Sequence, residues 1–225
     1  MTKTIDILRS RLIELAQALL AVDWDYELAC YVYKSTGKAV ANSVMLGWAD
    51  SYTVVVKTRI SMLTEKFIDG SITLEQWQQR MAIEIKDGWI VSANIGRGGR
   101  SMMTQADWGR TGGRLQYEYS RLRMFAEKIK MGDLSDAEIM ARAQLYANAT
   151  RLGYFDGLTS AKADVGFTYE QRFLNPAEHC GDCVTYADMG IQPIGTLPEP
   201  GEASQCGRNC KCTKVYYKPE DLEGE

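Results

Sequence analysis

Five cysteines crowd between residues 180 and 212 in two groups, Cys180-Gly-Asp-Cys183 and Cys206-Gly-Arg-Asn-Cys210-Lys-Cys212. A Cys-x-x-Cys pair facing a second tight group suits a tetrahedral metal ion, because each group supplies adjacent thiolates and the ion joins two distant segments. A closed structural zinc takes four such ligands. Cys180 and Cys183 form the firmer half, and Cys206, Cys210 and Cys212 compete for the other two places. Cys210 and Cys212, two apart in an extended segment, share a face. Cys206 and Cys210 could instead meet across a turn at Gly207. The spacing predicts one structural zinc per chain. His179, the only histidine, stands next to Cys180 and is expected at the surface or behind the ligands rather than on the metal. Cys30 lies far away in an apolar stretch and reads as a small buried hydrophobe.

Catalytic readings of these residues are weak. A zinc deaminase uses Cys-x-x-Cys together with an upstream His-x-Glu, and here only Pro176 and Glu178 precede the cysteine pair. A single histidine also removes Ser-His-Asp and Cys-His nucleophilic sites. The other unusual stretch runs from Asn94 to Arg114, with six glycines and Arg97, Arg100, Arg110 and Arg114. Its Gly96-Arg-Gly-Gly-Arg-Ser101 run is not G-x-G-x-x-G and lacks G-K-[ST], so no nucleotide fingerprint is present. Glycines favour a long loop or an interrupted helix. The expectation is a segment mobile in the free protein, whose four arginines contact a phosphate backbone or an acidic protein surface.

The elements that must position the cysteines read as helical over the first 165 residues. Ile5, Leu8, Leu12, Leu15 and Leu19 recur at helical spacing, a pattern that lapses near Asp23-Trp24-Asp25. Tyr52, Val56, Ile60, Leu63 and Phe67 form a second stripe, so Val54-Val55-Val56 is read as helix rather than strand. Thr73-Leu-Glu-Gln76 and Ser135-Asp-Ala-Glu138 are capping boxes that open two more helices. Leu115, Tyr119, Leu122, Ala126 and Ile129 predict another, ending at Gly132. Near Gly166 the periodicity stops and prolines gather. The fold class is therefore mainly α: a helical domain over residues 1–165, followed by a small, irregular, Cys-rich zinc-binding module over residues 166–225. So small a module needs a metal or disulfide staple, because core burial alone rarely holds it.

The chain of 225 residues carries a net charge of −3, so no global basic field draws it to nucleic acid. No run of about 18 apolar residues predicts a membrane span. The N-terminus lacks the basic start and apolar stretch of a signal peptide. Thiols are then expected to stay reduced, which favours metal over disulfides.

The C-terminal block resembles a known family. Its elements are Arg172-Phe-Leu, Glu178-His-Cys-Gly-Asp-Cys183, Gly190-Ile-Gln-Pro-Ile-Gly195, Leu197-Pro-Glu-Pro-Gly201 and Cys206-Gly-Arg-Asn-Cys210-Lys-Cys212. Together they resemble the end of tailed-bacteriophage head morphogenesis proteins, the Mu F-like minor head proteins. Arg142-Ala-Gln-Leu-Tyr-Ala-Asn-Ala149 is similar to the helix before that module. The resemblance covers roughly residues 95 to 217. Many members carry a histidine shortly before the Cys-basic-Cys element, where Gly207 and Arg208 stand here, so Cys206 becomes a substitute ligand. The resemblance implies a non-enzymatic virion structural protein, a minor head or head-assembly component. It would contact other phage virion proteins at the capsid or portal within an oligomeric assembly. Packaged DNA could be touched through Arg97, Arg100, Arg110 and Arg114. The alternative from another class is a zinc-containing nucleic-acid-binding protein using the same arginines. A metal-dependent enzyme comes third.

Overall fold

A computed structural model describes residues 2–223. The chain is mainly helical, with a C-terminal Cys-rich region that forms a possible metal site. Helix α1 (Thr2–Leu20) precedes a hairpin of β1 (Val22–Asp25) and β2 (Cys30–Tyr33), and then come α2 (Asn42–Ile68), α3 (Leu74–Arg97), α4 (Gln105–Lys130), α5 (Asp136–Ala149) and α6 (Arg151–Asp164). The tail holds β3 (Tyr169–Phe173), α7 (Gly181–Asp188), β4 (Gln192–Pro193) and β5 (Thr213–Tyr217).

Both expected capping boxes form. The Thr73 side chain accepts from Gln76 N–H at the start of α3, and Ser135 accepts from Glu138 N–H at the start of α5. The Val54–Val56 run lies inside α2, with Val55 and Val56 buried. In the core, Tyr52, Val55, Val56 and Ile60 of α2 meet Trp77, Met81, Ile85 and Trp89 of α3, with Ala143 and Tyr146 of α5 and Phe155 of α6 alongside. The tightest crossing is α3 on α6. A Cβ at Gly96 would stand 2.0 Å from the Tyr154 carbonyl oxygen, so only glycine lets these backbones approach.

Two expectations are corrected. The first 165 residues are not all helical, because β1 and β2 pair antiparallel from Val22↔Tyr33 to Asp25↔Cys30. Asp25 Oδ1 accepts from Glu27 and Leu28 N–H to form the turn, and Trp24, Tyr31 and Trp48 stack edge to face across the hairpin and α2. Aromatic and β-branched residues at period two outweigh the lapse in the helical stripe. Cys30 is buried in this core, as expected.

The second concerns residues 94–114, where of the two forms expected the long loop fails and the interrupted helix forms. α3 runs to Arg97, Gly98 ends it with φ 94, and a short 3₁₀ turn (Arg100–Met102) leads to α4. Gly109, Gly112 and Gly113 then lie within α4. Each helical glycine costs roughly 1 kcal/mol relative to alanine. Two features offset that. Thr104 and Asp107 form a capping box absent from the sequence reading. The arginines are also taken up internally. Arg97, only 4% exposed, pairs with Asp107 at 2.9 Å and with Asp164. Arg114 pairs with Asp156 at 3.1 Å and with Glu202, Arg110 reaches Asp107 and Ser160, and Arg100 lies over the Trp108 ring. Three of the four arginines expected to touch phosphate are thus paired with carboxylates of their own chain, and Arg100 meets the Trp108 ring.

The tail starts as α6 ends. Its sheet has the order β4-β3-β5, with Arg172 opposite Lys214 and Glu170 opposite Tyr216. Tyr216 joins the main core. Arg208 of the tail pairs with Glu118 of α4, and Thr159 of α6 donates to Glu199 at 2.9 Å. These contacts fix the cysteine region against the helices.

Candidate metal centre

The first cysteine pair is placed by α7. Cys180 is the residue before its first turn and Cys183 is inside that turn, so both thiols point the same way. The second group is placed by a 3₁₀ turn (Gly207–Asn209) and by the entry to β5. Gly207, with φ 49, lets the chain reverse, and Cys210 N–H returns to the Gly207 carbonyl. Asp182 Oδ2 accepts from Gln205 N–H at 2.8 Å and ties the two groups together.

All five thiols converge. Cys180, Cys183 and Cys206 form one set whose sulfurs lie within 4.8 Å of one another, and Cys183, Cys210 and Cys212 form a second. Cys183 belongs to both, at 3.5 Å from Cys206 and 3.6 Å from Cys210. These gaps are far longer than a disulfide bond of about 2.05 Å. They approach the edge of a tetrahedron of sulfurs around zinc, about 3.8 Å for Zn–S bonds of about 2.3 Å. Cys183 and Cys212 are fully buried and Cys210 nearly so, whereas Cys180 and Cys206 face the outside. The cluster could hold a metal ion such as zinc.

The electrostatics of the thiols do not follow burial alone. The backbone N–H groups of Cys183 and Cys206 draw the Cys180 thiol down to about 7. Burial pushes Cys183 well up, and raises Cys206 and Cys212. At Cys210 burial is outweighed by the Cys212 backbone N–H and the Cys183 thiol, and its pKa falls. A bound divalent ion removes the obstacle, because coordination deprotonates a thiol outright.

His179 was expected at the surface or behind the ligands, and its ring stands behind Cys212. Nε2 lies 2.7 Å from the Asn175 carbonyl oxygen, and Nδ1 lies 3.6 Å from Cys212 Sγ. Donation from Nε2 leaves a lone pair on Nδ1 facing the cysteines, and a metal-binding histidine is commonly oriented in this way. Two arginines also escaped the sequence reading. Arg151 of α6 donates to the Cys210 carbonyl at 2.8 Å and holds the second group against the body. Arg172 of β3 is buried at 1% exposure under the Tyr186 ring of α7. No local motif marks either one, since each is brought in from a distant element.

No helix among the described residues is long and apolar enough to cross a membrane. No protein family, curated protein or solved structure matches this chain.

Proposed function

We propose that the protein is a non-enzymatic bacteriophage virion component, a minor head or head-assembly protein whose tail is locked by structural zinc. The observation that carries the zinc is the convergence of five thiols, three of them buried, between α7 and the entry to β5. Zinc is the ion for such a set, since thiolate-rich tetrahedral sites select it or iron–sulfur clusters. The resemblance of the cysteine block to head morphogenesis proteins supports the virion reading. On that reading the helical body meets neighbouring capsid or portal subunits, and the protein assembles in the host cytoplasm and stays in the head. Mass spectrometry of purified virions tests it. The chain should be present at low, fixed copy number, and its absence from intact particles refutes the proposal.

A nucleic-acid-binding role is the second reading, and it now rests on other residues. Arg121, Lys128 and Arg142 line a pocket of about 190 Å³ together with Arg208, which is itself paired with Glu118. Arg142 and Arg208 lie over the Phe125 and Tyr146 rings, which orients their guanidinium planes. Binding of random-sequence DNA that weakens steeply with salt, and falls on Arg142→Glu, would favour this reading.

A further inference from the structure

We propose that the cysteine cluster is a dinuclear centre in which Cys183 bridges two divalent metal ions. This deepens the zinc reading and rests on it, and it replaces the single ion expected from spacing.

The thiols do not form one tetrahedron. A single four-thiolate site needs four sulfurs mutually close, and the described residues offer two triads that share only Cys183. Two triangles with a common corner are what two neighbouring ions with one bridging thiolate require. Cys180, Cys183 and Cys206 face one ion. Cys183, Cys210 and Cys212 face the other, and His179 Nδ1 stands 3.6 Å from Cys212 Sγ, behind that triad. The outer ion keeps one place for water, consistent with the more exposed Cys180 and Cys206. The position of Cys183 fits its role. It is fully buried, and its sulfur lies in contact range of both partner groups.

A second, independent observation is the state of Arg172. Its Nη2 donates to the Pro198 carbonyl, but Nε and Nη1 are buried without an acceptor. No described carboxylate pairs with it, and it stands opposite Lys214 in the sheet, two residues on from Cys212. A buried, unpaired guanidinium is costly, so negative charge belongs beside it. One divalent ion with four thiolates carries two negative charges and leaves the fifth thiol without an ion. Two divalent ions with all five thiolates carry one, which Arg172 cancels. Each thiol gives its proton to solvent as the ions bind, and no oxidation is involved.

The test is metal content of the full chain, purified under reducing conditions and loaded with zinc, measured by elemental analysis and native mass spectrometry. Two ions per chain are expected, and cadmium substitution should give two resonances coupled to each other through the shared sulfur. Cys206→Ser and Cys212→Ser should each retain one ion, and Cys183→Ser should retain none. One ion in the wild-type chain overturns the dinuclear proposal and leaves the zinc reading standing. No ion, with the cysteines found as disulfides, overturns both. Where a variant fails to fold, the wild-type ratio and the cadmium coupling decide.

Discussion

Glu199→Gln should make the protein less sensitive to pH by an amount that the structure sets. Glu199 lies where the tail meets the body, 8% exposed. Its Oε1 accepts from Thr159 Oγ1 at 2.9 Å and stands 3.1 Å from Lys214 Nζ, and its Oε2 is buried without a partner. Lys214 is already neutralised by Glu170 at 2.9 Å. One ammonium therefore faces two carboxylates, with Asp156 adding further negative charge. Burial, only partly opposed by Lys214, pushes the Glu199 carboxyl from 4.5 up to about 7. The folded protein thus holds a proton that the unfolded chain releases. The stability that this proton provides is complete below the unfolded value near 4.5 and is lost as pH rises towards about 7. The span corresponds to roughly 3 kcal/mol at about 1.4 kcal/mol per pH unit. Glutamine mimics the protonated carboxyl and does not titrate. Urea unfolding of both proteins across this range is the assay, and metal loss at low pH affects the two alike. The difference in unfolding free energy should move in favour of glutamine by roughly 3 kcal/mol between pH 4.5 and 7. Parallel profiles would show that Glu199 is ionised in the folded state, and would refute the reasoning.

Cys183→Ser should abolish metal binding and loosen the tail while the helical body persists, because loss of a structural zinc removes folding free energy on the order of 10 kcal/mol. Limited proteolysis should then cut after about residue 165, and global unfolding would show that the body depends on the tail. Gly96→Ala places a Cβ 2.0 Å from the Tyr154 carbonyl and must push α3 from α6. A loss of about 3 kcal/mol or more is expected in thermal or urea unfolding, and a change below about 0.5 kcal/mol would contradict the close approach.

Local rules were legible wherever a few neighbouring residues decide the outcome. Thr73 with Gln76 and Ser135 with Glu138 fix helix starts because donor and acceptor are three residues apart. The cysteine spacing marked a cluster that could hold a metal ion because Cys180 and Cys183 share one turn and Cys210 and Cys212 share one edge. The stripe through Tyr52, Val56 and Ile60 correctly outweighed the β-branched run inside it. The sequence by itself thus determined a helical protein with a thiol-rich tail. Tertiary structure decided what those groups meet. Glycines 109, 112 and 113 sit in a helix because ion pairs from α3 to α4 and from α4 to α6 outweigh their local preference, and those pairs join residues up to 42 apart. The same pairing turned four arginines from candidate phosphate contacts into internal supports or ring contacts. His179 reached Cys212, and Arg172 came under Tyr186, only because β3, α7 and β5 pack together. Spacing predicts which thiols share a turn, but only packing sets which sulfurs lie together and what charge lies behind them.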